Sequence, residues 1–226
     1  MQSYQPVWDI WIRLGHWLLV TGIIFQYVSG ENIELIDAHA TVGILLCGWV
    51  IFRIAWGLSG PLYARFKSFP LPEPAEAISA IGRLISREIE PTPGHTTIGG
   101  VGVYLLIALI GLTALTGMAS SDDIFFEGPL AAFLPSTIVE YAGDIHPVLS
   151  DLVFITALLH VSAILWHTYA MKEPLIKGMV TGLKPSFGKP IGHPHPFSKM
   201  IVLRGFVFFT LCIGGAYGFF AIYLGW

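Results

Sequence analysis

Charge is what this sequence has least of. Only 12% of its 226 residues are charged, where a soluble domain carries roughly 25%. Hydrophobic residues reach 54% and aromatics 13%, and the mean hydropathy is +0.69. A water-soluble surface cannot be built from what remains, because most of it would be apolar. The scarcity excludes an ordinary soluble domain and predicts an integral membrane protein. Cysteine is nearly absent too. Cys47 and Cys212 stand in separate apolar runs with no C-x-x-C-H pattern, which excludes covalently attached c-type haem and a disulfide framework and leaves them as small packing residues. The first apolar run lacks a small-residue cleavage site and carries Arg13 and His16, so it is expected to be retained as a helix rather than removed as a signal peptide.

Positive charge is missing from whole stretches. Residues 29–37 and 119–151 contain no Lys or Arg, but hold Glu31, Glu34, Asp37, Asp122, Asp123, Glu127, Glu140, Asp144 and Asp151. The twelve basic residues fall elsewhere: Arg13, then Arg53 to Arg87, then Lys172 to Arg204. Five apolar runs, near 9–28, 38–58, 98–118, 148–171 and 201–224, separate the two kinds of segment, and each approaches the ~20 residues that cross a bilayer. Basic segments stay in the cytoplasm. The expected topology puts the N-terminus inside and the C-terminus outside, with twelve basic against six acidic residues on the inner side. Residues 75–90 place Ile78, Ile81, Leu84, Ile85 and Ile89 at helical spacing against Glu76, Arg83, Arg87 and Glu88, predicting an amphipathic helix on the inner membrane surface. Membrane lipid is an expected partner; nucleic acid is not.

Eight histidines then become the informative residues. His95, His193 and His195 read as solvated loop residues. The other five sit in the apolar runs or at their ends, where an ionisable group is costly and marks function by default. His146 and His160 are fourteen residues apart, so on a helix they share a face and differ in depth by roughly 21 Å. That suits two stacked cofactors. His39 opens the second run, level with His146, while His16 lies roughly 18 Å below the outer end of the first, level with His160. Two bis-histidine sites follow, His39 with His146 outside and His16 with His160 inside. Paired imidazoles between facing helices are how b-type haem is held, and a six-coordinate iron favours electron transfer. Gly15, Gly22 and Gly43 would let a flat macrocycle approach, or else serve tight helix packing. His167, one turn pair below His160, is expected at the inner edge, either against a propionate or a quinone or simply as an interfacial residue. Arg53, fourteen after His39, faces the inner site as a propionate partner or anchors the helix in the inner interface.

Taken together, these residues resemble a known family. The run Val7, Trp8, Asp9, Ile10, Trp11, Ile12, Arg13, Leu14, Gly15, His16 is similar to the start of the bacterial di-haem cytochrome b561 family, which includes the cytochrome b subunits of nickel–iron hydrogenases. Asp37, Ala38, His39, Val42, Gly43, Phe52 and Arg53 resemble its second helix, Gly94 to Gly100 the start of its third, and Asp144, Ile145, His146, Leu159, His160 and His167 its fourth. The likeness covers roughly residues 5–184, and the last run is an addition found in some members only. The resemblance implies an all-α, four-helix transmembrane bundle holding two b haems, with residues 1–184 as the di-haem domain. Residues 185–226 would add a cytoplasmic linker and a fifth transmembrane helix. It implies a multi-pass protein of the bacterial inner membrane that moves electrons between a quinone pool and a periplasmic partner, either a c-type cytochrome or an oxidoreductase subunit. The family pairs the four histidines as depth does. An electron-transfer subunit is expected over a stand-alone oxidoreductase. A superoxide:ubiquinone oxidoreductase would need a cationic outer funnel, and the outer segments hold no Lys or Arg. A metal-ion transporter would show broken or repeated helices around a midplane site, and no internal repeat or mid-span carboxylate is present.

Overall fold

The computed structural model describes residues 4–70, 79, 82, 86, 92–122, 124–185 and 198–223. Six helices organise them: α1 (Ile10–Ser29), α2 (Ile36–Ser59), α3 (Thr97–Ala119), α4 (Ser136–Tyr169), the short α5 (Leu175–Thr181) and α6 (Lys199–Phe209), which continues through π-type turns to Tyr223. The predicted amphipathic helix lies outside the described residues apart from Ser79, Gly82 and Ser86, which are helical, and His193 and His195 lie outside them altogether.

Among the described residues, four helices are long and apolar enough to cross a membrane: Ile33–Ser59, Thr97–Ala119, Ser136–Tyr169 and Lys199–Ala221. Their surfaces show why. Leu58, Leu105, Leu115, Leu159, Leu203 and Leu211 are all exposed, an arrangement that suits lipid and not water. The remaining expected run, the first along the chain, forms α1, a 20-residue helix whose apolarity is diluted by Arg13, His16 and Gln26. The largest departure is α4. It starts at Ser136 rather than near 148 and runs for 34 residues, about 51 Å against a hydrocarbon thickness of about 30 Å. Glu140 and Asp144 hide this first part from a hydropathy reading. Pro147 sits inside α4, where it removes one helical N–H.

The chain forms two compact units. The first comprises Met1–Leu14, Ala55–Leu105 and Leu158–Phe206. Here strand β1 (Tyr4–Pro6) pairs antiparallel with β2 (Leu183–Pro185), Gln5 opposite Lys184. Asp9, only 1% exposed, caps α1 by accepting the backbone N–H groups of Trp11 and Ile12 at 2.9 and 3.2 Å, and it also accepts the Trp56 indole at 3.3 Å. A carboxylate at a helix N-terminus satisfies orphan donors and meets the positive end of the dipole. The Trp11 indole in turn donates to the Val202 carbonyl at 3.0 Å.

The second unit comprises Gly15–Ile54, Leu106–Ala157 and Val207–Trp226. Its core groups Ile44, Met118 and Phe220, with Cys47, Leu130 and Ala216 packed against them. Small residues set the helix contacts. A Cβ on Gly15 would meet the Trp49 indole at 2.9 Å, one on Gly22 the Leu46 side chain at 2.9 Å, and one on Gly48 the backbone of Ile213 at 2.9 Å. Gly15 and Gly22 therefore serve helix packing, the second of the two readings the sequence allowed. Gly43 lies against the Gln26 amide.

Candidate functional site

In the second unit, α2 and α4 bring His39 and His146 together. Their ring centroids are 6.2 Å apart with planes at 79°. Each ring is held by its Nδ1. His146 Nδ1 lies 3.0 Å from the Thr113 carbonyl and 3.2 Å from the Thr116 hydroxyl. A carbonyl only accepts, so this nitrogen carries the proton. The Ser29 hydroxyl donates to the Phe25 carbonyl at 2.7 Å, which leaves its oxygen to accept from His39 Nδ1 at 3.0 Å. Both rings thereby keep an unprotonated Nε2, the form in which imidazole binds a metal, with the other nitrogen fixed by the protein. Space is reserved as well. A Cβ on Gly117 would fall 2.7 Å from His146 Cε1, closer than real contacts permit. Ring stacking of Tyr27 on Phe154, at 4.2 Å and 13°, braces α1 against α4 in this unit.

The pair fits a metalloporphyrin. Two metal–imidazole bonds of about 2 Å, with about 1.1 Å from each nitrogen to its ring centre, span roughly 6 Å. Among the described residues no group of three or more His, Cys, Asp or Glu is placed to hold a metal ion directly. Two neighbouring imidazoles without a third protein ligand are a donor set that would suit an iron already held by a macrocycle.

The remaining candidates are placed one by one. His16, on α1, belongs to the second unit and meets Trp17 edge to face at 5.1 Å. His160, on α4, belongs to the first unit and is exposed. Arg53 is buried at 6% exposure. His167 is buried in the first unit, with Nδ1 2.7 Å from Glu173 Oε2. Nearby, Lys184 donates to the carbonyls of Thr92 and Gly94 at 3.2 and 3.4 Å. Burial pulls the Lys184 amine below its ordinary value, and the charge of Glu173 acts in the opposite direction.

Ser29, Thr113, Thr116, Gly117, Glu173 and Lys184 were not singled out from sequence. His95 corrects an expectation. It is not a solvated loop residue, but lies half-buried between Trp8 at 4.8 Å and Phe69 at 4.2 Å, aromatic rings that only the folded chain brings to it.

Comparison with known proteins decides the family. The family description "prokaryotic cytochrome b561" matches residues 7–182. The chain belongs to the prokaryotic cytochrome b561 family. It is also 24% identical over 180 residues to "Cytochrome b561 homolog 2" of Escherichia coli (strain K12), covering 77% of this chain and 84% of that protein. No solved structure matches it. As a cytochrome b561, the chain is a membrane protein of the b-haem, electron-transferring type, and its apolar helices agree with that membership.

Proposed function

We propose that this cytochrome b561 carries two b haems and passes electrons across the bacterial inner membrane, between a periplasmic redox partner and the quinone pool. The observation that carries the reading is the His39–His146 pair, 6.2 Å between ring centres, each ring anchored through Nδ1. Such a group, when bound, supplies reversible one-electron chemistry at a site with no open ligand position. The chain's own contribution is orientation. Ser29, Thr113 and Thr116 fix the two imidazoles, and Gly117 makes room for one of them. The second pair, His16 with His160, rests on sequence spacing and family resemblance. The fourteen-residue interval from His146 to His160 corresponds to roughly 21 Å along α4, a separation suited to hopping between two centres.

Arg53, buried on α2, and His167, held by Glu173, are proposed to face the inner centre. Arg53 would pair with a propionate, and His167 would mark the side at which quinone exchanges electrons. Helix α1 is proposed as a membrane span despite its lower apolarity, giving an N-terminus inside and a C-terminus outside. Residues 185–226 would then add a linker and a fifth span to the di-haem part. Acidic outer segments suit a basic soluble partner such as a c-type cytochrome, through long-range attraction.

The reduced-minus-oxidised spectrum of the purified protein is expected to show b-type bands, and a pyridine haemochrome assay to count two haems per chain. His39→Ala and His146→Ala should each remove the same haem and leave the other. A colourless protein would refute the reading, and loss of different haems would refute the pairing.

A further inference from the structure

We propose that the loop following α3 and the start of α2 form the docking face for a basic soluble redox protein. Its parts are an apolar tip, Ile124 and Phe125, and beside it an acidic cavity that receives a lysine or arginine side chain. The proposal rests on the electron-transfer reading above and names the face at which the outer partner meets the chain.

The tip is built rather than loose. Asp122 Oδ1 accepts three successive backbone N–H groups, from Ile124, Phe125 and Phe126, at 3.0, 2.8 and 2.8 Å. The Asp122 N–H donates to the Phe126 carbonyl at 3.0 Å, and Gly128 N–H and Leu130 N–H tie the loop to Ser120 and Met118 at 2.8 and 2.9 Å. Those bonds to Asp122 hold its carboxyl below the ordinary carboxylate range. The hydrogen-bonded residues on this turn leave Ile124 and Phe125 at 78% and 68% exposure, two large apolar side chains kept off the core.

Beside the tip is a cavity of about 350 Å³ lined by Asp37, Thr41, Phe125, Phe126, Glu127 and Tyr217. Two carboxylates with aromatic walls suit a long cationic side chain, through charge and ring-face attraction together. Charge sign selects the class of partner. Between Arg87 and Lys172 the sequence has no Lys or Arg, so the only formally charged residues of this loop and of the first turns of α4 are acidic: Asp122, Glu127, Glu140 and Asp144 among them. A basic protein is steered in, and an acidic one is turned away. Location gives the contact its use. Asp37 is two residues before His39 on α2, the helix whose imidazole faces His146, so a partner seated here adjoins the proposed outer centre. A lipid surface is the other class that exposed aromatics could meet; carboxylates on both flanks of the tip disfavour it.

The test uses the full chain in zwitterionic nanodiscs and a purified basic c-type cytochrome as probe. Binding by the unaltered protein is expected to weaken steeply with salt. Glu127→Gln should raise Kd several-fold at low salt and lose its effect at high salt. Phe125→Ser should raise Kd by about tenfold or more at both, as loss of a central aromatic anchor does. Haem content is read on the same samples. A colourless preparation overturns the electron-transfer reading and this one with it. A full b-haem spectrum with no binding, or with a Kd indifferent to both variants, overturns the docking face alone. So does a nitroxide on Phe125→Cys that is relaxed by oxygen and not by a water-soluble nickel chelate, which places the tip in lipid.

Discussion

A hydrogen atom in place of a side chain at position 117 decides how His146 lies. Alanine there would put its Cβ 2.7 Å from Cε1 and 3.1 Å from Nδ1 of the imidazole, and the ring could yield only by giving up its bond to the Thr113 carbonyl. Gly117→Ala is therefore expected to lower the haem count per chain towards one. Gly102→Ala, on the same helix with nothing within 4 Å of its Cβ, should leave the count unchanged. Pyridine haemochrome per mole of protein checks both. The histidines at this scale were legible from sequence, because imidazole in an apolar run is rare and costly. Their supporting hydroxyls were not. Ser and Thr in helices commonly bond back to their own turn, as Thr21 and Ser59 do here. Nothing in the sequence distinguishes those from Ser29 or Thr116, which make the same back-bond and hold an imidazole besides.

Among the elements, α6 shows how closely an added helix can be seated. A Cβ on Gly205 would lie 2.1 Å from the Trp11 ring, and that ring cannot swing aside without losing its bond to the Val202 carbonyl at 3.0 Å. Gly205→Ala should destabilise the fold by about 1–3 kcal/mol, the usual cost of overpacking. Gly214→Ala, with open space around its Cβ, should be neutral or stabilising, since alanine favours helix by about 0.5–1 kcal/mol. Thermal unfolding in detergent distinguishes the two. Helix positions were largely legible: α2 and α3 begin and end within a couple of residues of the apolar runs. The start of α4 was not, because length beyond the hydrocarbon is carried by residues such as Glu140 and Asp144 that a hydropathy reading assigns to a loop. Nor was the placement of His95, whose neighbours Trp8 and Phe69 are distant in the chain.

For the molecule as a whole, the distribution of charge carries the orientation. A fluorescent-protein fusion after residue 184 is expected to fluoresce in the cytoplasm, and an alkaline phosphatase fusion after residue 134 to be active outside it. The reverse pattern would overturn the proposed orientation, and activity of only one of the two reporters, which places both points on one side, would overturn α4 as a span. Composition and order of residues were enough for the membrane class, the apolar helices, the four candidate ligands and the family, because lipid solvation and helix rise act on the chain locally and in register with its sequence. Tertiary structure alone decided which nitrogen of His39 and of His146 is tied to the protein, that Gly15 and Gly22 receive neighbouring side chains, that Asp9 and Arg53 are buried, and that His167 meets Glu173. Most of those contacts join groups far apart along the chain or on neighbouring helices, and the His167–Glu173 contact depends on how the chain turns after α4; no local period encodes them.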